Sequence, residues 1–245
     1  MPRQSQAPVL LLTRPLLQSR RFSAELAAEF PALRIEISPL LQPEFRHPAL
    51  PDRPFGAVIF ASETAVAATT ALPDRPRLPQ LAYCVGTRTA AAARAAGFQA
   101  RSADGDAEAL FTLIRQEAPP CPLLFLRGED STGDLAERLT LAGTETLSCV
   151  VYQQVPQPLT GAAIALLQGR APVIVPLFSP RSARLFVAAG AGIGLVAPLH
   201  IAALSQAVAA ALPPLGVQRL VVAARADAGA MRAAVAALIG PAGLP

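Results

Sequence analysis

The chain contains no lysine, so its 21 basic side chains other than histidine are all arginine. Without a lysine amine there is no Schiff-base nucleophile, no anchor for pyridoxal phosphate and no P-loop lysine, which removes several large enzyme classes. Tryptophan is also absent, and aromatics make up only 5% of the 245 residues. The core must therefore be assembled from many small side chains on closely packed elements. Two histidines, His47 and His200, and three cysteines, Cys84, Cys121 and Cys149, form no spaced ligand pair and no CxxC. Neither a metal site nor a dithiol centre is expected from them. The odd cysteine count argues for a reducing compartment, and the apolar run Val9 to Leu12 is too short for the central region of a signal peptide, so a cytoplasmic location is expected.

Charged residues make up 16% and hydrophobic ones 52%, too apolar a balance for a disordered chain and enough for one or two buried cores. Nothing from Leu185 to Gln218 carries a formal charge, longer than a membrane span requires, but Gly190, Gly192, Gly194 and Pro198 interrupt it. A helix end, a loop, a buried strand and another helix fit this stretch better, and no membrane association is expected. The net charge is +4 and the isoelectric point about 9.6. The arginines are dispersed and no aromatic-rich RNA signature accompanies them; a small polyanionic ligand explains the charge equally well, and no nucleic-acid partner is expected.

Short apolar runs alternate with alanine-rich helical stretches, the pattern of βα units around a parallel sheet. Strands are predicted over 9–13, 57–61, 82–85, 123–126, 173–177, 200–203 and 220–223. Helices are predicted over 16–30, 63–71, 87–96, 107–116, 132–142, 181–188, 205–212 and 228–239. The units repeat. Ser62 in FASETA matches Ser179 in FSPRSA at a spacing of 117, Thr87 matches Ser205 at 118, and Asp106 matches Asp227 at 121. The next unit, LLFLRGEDSTGDLAERL, has its match at the front of the chain, where Arg14 and Arg127, Phe22 and Leu135, and Leu26 and Leu139 are each 113 apart.

Two copies of one fold are therefore expected, the N-terminal unit completing the C-terminal copy. The expected fold is α/β: two doubly wound parallel-sheet domains joined by a two-stranded β-ladder, one domain discontinuous. The expected boundaries are 1–35 plus 160–245 for the discontinuous domain, 43–147 for the inserted one, and 36–42 with 148–157 for the connecting ladder. Leu33 to Gln42, which alternates Leu33, Ile35 and Ile37 with polar residues, is read as one of two extended crossings pairing as an antiparallel ribbon with a hinge and cleft.

In open α/β sheets ligands collect at the carboxyl ends of strands, where helix N-termini offer free amides and partial positive charge. The candidates at that edge are Arg14, Ser62, Gly86, Thr87, Arg127, Gly128, Ser179 and Ser205. They are hydroxyls, glycines and arginines, with no nucleophile and base pair, no acid dyad and no GxGxxG. Such a set grips anions. Each hydroxyl is also a natural helix N-cap needing no ligand. Arg14 and Arg127 read either as solvated charges or, being at matching positions, as anion clamps. Tyr152 falls in the proposed ribbon, where its residues alone favour ordinary strand packing, and His200 begins an apolar strand as a buried histidine would.

Taken in succession, LLLTRP, VIFASETAV, YCVGTRTAAAARAAGF with DGDAEAL, LLFLRGEDSTGDLAERL, VVYQQVP, PLFSPRSARLF, HIAALSQAVAAAL and AARADAGAMRAAV resemble the uroporphyrinogen-III synthase family over nearly the whole chain. The resemblance implies two α/β domains joined by a ladder and a lyase that needs no cofactor. It implies conversion of hydroxymethylbilane to uroporphyrinogen III with inversion of ring D and loss of water, in tetrapyrrole biosynthesis. It further implies a monomer, acting alone or in transient contact with hydroxymethylbilane synthase. By position, Tyr152 matches the family tyrosine proposed to assist departure of the hydroxyl, and Ser62, Thr87, Ser179 and Ser205 match binding hydroxyls. The chain departs from the family pattern at Ala61, Phe178 and Leu204, where two threonines and a glycine are expected. A hinge-type binding or regulatory protein for a small polyanion is the competing reading.

Overall fold

Four- to six-residue apolar runs, too short for helices and flanked by Ser, Gly or Pro, form the central strands, and the alanine-rich stretches between them form helices. The computed structural model describes residues 8–130, 133–212 and 216–239. The chain divides into two compact units, Met1–Gln42 with Pro156–Pro245, and Pro43–Val155.

The first unit is built on β1 (Val9–Leu12), α1 (Leu16–Glu29) and β2 (Arg34–Ile37). It resumes with α6 (Gly161–Gln168), β9 (Val173–Leu177), α7 (Pro180–Ala191), β10 (Leu199–Ala203), α8 (Gln206–Ala209), β11 (Val217–Val222) and α9 (Ala228–Ile239). The second contains β4 (Ala57–Phe60), α2 (Glu63–Thr70), β5 (Leu81–Cys84), α3 (Thr87–Ala95), β6 (Gln99–Ser102), α4 (Ala107–Glu117), β7 (Leu123–Gly128) and α5 (Leu135–Leu141). Two further strands, β3 (Leu41–Phe45) and β8 (Thr146–Pro156), carry the chain across the boundaries between units.

The sheets run β11-β10-β9-β1-β2 and β3-β8-β7-β4-β5-β6. Each is covered on both faces, which is why its central strands are apolar throughout. Val58 and Phe60 pack with α2 and α3, whereas Ala57 and Ile59 pack with α4 and α5. Val173, Val175 and Leu177 meet α6, α7 and α8, whereas Ile174 meets α1 and α9. The contacting residues on α2 and α3 include Ala65, Ala68, Ala90 and Ala93. With side chains this small, the helices approach the sheet closely.

The registers expose the repeat. Ala57 pairs with Leu123 as Ile174 pairs with Leu10, and Val58 pairs with Ala82 as Val175 pairs with Ile201. Ala82 pairs with Ala100 as Ile201 pairs with Leu220, and Leu123 pairs with Thr146 as Leu10 pairs with Ile35. Thus β1 and β2 occupy in the first sheet the places of β7 and β8 in the second. One expected match is off by a residue: the cap of α3 is Gly86, not Thr87, so Ser205 corresponds to Gly86.

Other expectations are corrected. Residues 34–37, read as part of a crossing, pair in parallel with β1, and the crossing strand that neighbours β8 is Leu41–Phe45. Polar β6 was not foreseen, because an edge strand such as QARS carries no apolar alternation. Helix α6, capped by Thr160, was missed because GAAIALLQ is apolar on nearly every side and shows no helical period. The expected start of α5 at Thr132 lies outside the described residues. The uncharged stretch 185–218 is broken into α7, β10, α8 and the start of β11, and among the described residues no helix is long and apolar enough to cross a membrane.

Candidate active site

Strand order in the six-stranded sheet reverses between β4 and β7: the chain proceeds from β4 to β5 and β6 on one side, and from β7 to β8 on the other. A crevice at the carboxyl ends of two such strands is where doubly wound sheets bind ligands. A cavity of about 350 Å³ lies there, lined by Ala61, Ser62, Arg127, Gly128, Asp130, Tyr152 and Gln154. The sequence places Ser62 and Ala61 just after β4, Arg127 and Gly128 at the end of β7, and Tyr152 on β8.

Ser62 is the N-cap of α2, its Oγ accepting from the Ala65 amide at 3.1 Å. The capping role does not exhaust the hydroxyl: Ser62 Oγ lies 3.1 Å from the Tyr152 hydroxyl, and either can donate. Arg127 donates to the carbonyls of Gly128 and Glu129 at 3.1 and 3.4 Å, which holds its guanidinium against the end of β7. Outside the cavity, Arg46 pairs with Glu129 at 3.0 Å and hydrogen-bonds Gln153, tying the neighbouring chain segments together at the surface.

Tyr152 reaches Ser62 because β8 is irregular. Leu147, Cys149 and Val151 alternate onto the face that packs against Phe60 and Leu126, so regular pleating sends residue 152 to the opposite face. The register instead steps, Arg127 pairing with Val150 and Gly128 with Tyr152. Val151 is the extra residue of a β-bulge, and beyond it Tyr152 packs on the same face as Val151. The Tyr152 carbonyl accepts from Glu129 and the Val151 carbonyl from Arg46, at 2.9 and 2.8 Å, so the bulge is held from both sides. The other tyrosine, Tyr83, is 1% exposed and donates to Glu117 at 2.8 Å. Burial and that carboxylate raise its pKa.

Of the expected site residues, Ser62, Arg127, Gly128 and Tyr152 thus come together. Gly86 and Thr87 stand at the next strand end, outside this cavity, with Thr87 exposed and open space beside Gly86. In the other unit, Ser179 caps α7 in a reciprocal box with Ser182, and Ser205 caps α8 through the Val208 amide at 3.4 Å. Arg14, the counterpart of Arg127, stacks over the Phe178 ring at 3.9 Å, and Phe22 meets the same ring edge-on. Phe178 stands where the second unit has Ala61, so the equivalent strand ends carry an aromatic stack in one copy and an open cavity in the other. His200 sits on β10, and burial followed by the charge of Arg219 lowers its pKa.

Two polar lining residues, Asp130 and Gln154, are not among the expected site residues. Gln154 carried a signal, standing two residues after Tyr152 on β8, the spacing that returns a strand side chain to the same side; Asp130 lies in the turn beyond β7, where strand alternation gives none.

The family model described as uroporphyrinogen-III synthase HemD matches residues 21–233. Uroporphyrinogen-III synthetase from Helicobacter pylori 26695 superposes with a TM-score of 0.61 at 18% identity, covering 94% of this chain and 99% of that one. At that identity the likeness is one of fold. A mutant uroporphyrinogen III synthase from the extremely thermophilic bacterium Thermus thermophilus superposes with a TM-score of 0.47 at 17% identity, over 94% of this chain and 98% of that one. No curated protein matches the chain.

Proposed function

Since the chain belongs to the uroporphyrinogen-III synthase family, we propose that it closes hydroxymethylbilane to uroporphyrinogen III, acting as a hydro-lyase with Tyr152 as the catalytic residue. The observation that carries this reading is the Tyr152 hydroxyl, 3.1 Å from a capping serine inside a cavity that also presents an arginine.

In this reading Ser62 accepts from the Ala65 amide and donates to the Tyr152 oxygen, leaving the tyrosine proton to be given to the departing hydroxyl. The pyrrole nitrogen lone pair expels that hydroxyl as water, leaving an azafulvene electrophile. Charge developing on the Tyr152 oxygen is stabilised by the Ser62 hydroxyl, itself polarised by the N-terminus of α2. The substituted carbon of the terminal ring attacks to give a spiro intermediate, and fragmentation and reclosure invert the ring. Loss of a proton from the ring carbon restores aromaticity and returns a proton to the tyrosine. Arg127 binds substrate carboxylates. Asp130 repels them and suits the pyrrole N–H groups, as does Gln154. The cavity is near the lower end of the roughly 300–1,000 Å³ range of ligand pockets, so it holds part of the tetrapyrrole. The proposal also takes Arg14, Gly86, Thr87, Ser179 and Ser205 as substrate-binding, on the resemblance and on their place at the carboxyl edges of their own sheets.

Uncatalysed closure proceeds without inversion, and a hundredfold preference for inversion requires the two barriers to differ by about 2.7 kcal/mol. One or two hydrogen bonds suffice for that, so holding the chain of rings in shape is the larger task. Incubating the purified protein with hydroxymethylbilane and resolving isomers I and III by chromatography tests the proposal. Isomer III in excess is expected; isomer I alone overturns it, and binding without turnover favours the polyanion-binding alternative.

A further inference from the structure

We infer that Gly128 is a positioning residue for Tyr152, and that its missing side chain together with the Val151 bulge sets where the Tyr152 hydroxyl lies. The inference rests on the role proposed for Tyr152 and replaces substrate contact as the reason for the glycine. A Cβ built at Gly128 falls 2.6 Å from Cζ of Tyr152, 2.8 Å from its hydroxyl and 3.0 Å from Cε1, and these are the three nearest atoms. The hydroxyl end of the phenol ring therefore occupies the space a side chain at 128 would fill, and Gly128 is buried. Nothing in the backbone asks for glycine here, since Gly128 is not among the residues with positive φ.

The two devices are complementary. The bulge turns Tyr152 onto the face it shares with Val151. The absent Cβ then lets the ring settle low enough for its oxygen to meet Ser62 at 3.1 Å. An alanine at 128 leaves the strand pairing intact but pushes the far end of the ring outward by about 1 Å to regain ordinary contact distance. The hydroxyl leaves Ser62, and misplacement of that size lowers turnover by up to about a hundredfold.

The test compares Gly128→Ala, Tyr152→Phe and the double variant, each made with and without 3-fluorotyrosine. The chain has two tyrosines, so two fluorine resonances are expected, and the one missing from Tyr152→Phe belongs to Tyr152. Gly128→Ala is expected to shift the Tyr152 resonance and leave that of Tyr83 in place. It should also lower kcat about tenfold to a hundredfold with KM within about twofold, and the double variant should be no slower than Tyr152→Phe. A raised KM with unchanged kcat, additive losses in the double variant, or an unmoved Tyr152 resonance overturns the inference. Should the wild-type protein make no isomer III, the proposed function fails while the fluorine shift still decides the positioning. Should Gly128→Ala fail to fold, it is combined with Tyr152→Ala: a melting temperature equal to that of Tyr152→Ala alone supports the inference, and a further drop overturns it.

Discussion

Replacing Ser62 separates its two tasks, because its oxygen both caps α2 and meets Tyr152. Ser62→Ala removes a cap contributing about 1 kcal/mol and a partly solvated hydrogen bond at the lower end of the ~0.5–1.5 kcal/mol range. The expected loss of about 1.5 kcal/mol corresponds to roughly 3–6 °C in Tm for a chain of this size. Ser62→Asp behaves differently. Aspartate caps as well as serine, and its charge at the N-terminus of α2 adds about 0.3–1 kcal/mol, so Tm should hold or rise. The new carboxylate, however, joins Asp130 in the cavity. At about 4 Å it repels each nearby substrate carboxylate by about 1 kcal/mol even in water, raising KM about fivefold. It also removes the donor to Tyr152, so kcat falls in both variants. Thermal denaturation by circular dichroism and steady-state kinetics read the two tasks independently. Wild-type kcat and KM in Ser62→Asp would reduce Ser62 to a helix cap, and an unchanged Tm in Ser62→Ala would refute the capping energetics.

Three further outcomes are expected. Tyr152→Phe should lower kcat at least tenfold with an unaltered circular dichroism spectrum; unchanged turnover removes its assigned role. The native state disfavours the protonated form of His200, its pKa lying below the ordinary 6.5, so the unfolded chain binds a proton that the folded one does not. Stability should therefore fall as pH drops through roughly 7 to 5, and His200→Leu should flatten that part of a plot of urea midpoint against pH; an unchanged slope refutes the assignment. With a thiol reagent at pH 8, exposed Cys121 should react first and half-buried Cys149, raised by burial, more slowly. Cys84, fully buried and pushed up to about 11, should react only on unfolding, and three fast thiols would contradict this.

Much of the site was legible because its supports are local. Ser62 stands between an apolar strand and an alanine-rich helix, where an N-cap belongs, and Arg127 and Gly128 close the run LLFLRG. What was not legible is how residues 62, 127, 128 and 152 converge. That depends on β7 lying between β4 and β8, a consequence of strand order. Likewise, nothing in FSPRSA announces that Phe178 and Arg14 stack where the other copy is open; only the contact between residues far apart in sequence does.

By itself, the sequence determined the class of fold and the repeat, because doubly covered strands must be apolar along their whole length and because each βα junction repeats its turn chemistry. It also carried the family succession, matched over residues 21–233. Tertiary structure alone decided which face Tyr152 occupies. A bulge exists only relative to a partner strand, and the one-residue step between Arg127–Val150 and Gly128–Tyr152 cannot be read from either strand alone. Pairing across β7 and β8, with no side chain on Gly128 to intervene, brings the tyrosine hydroxyl to Ser62.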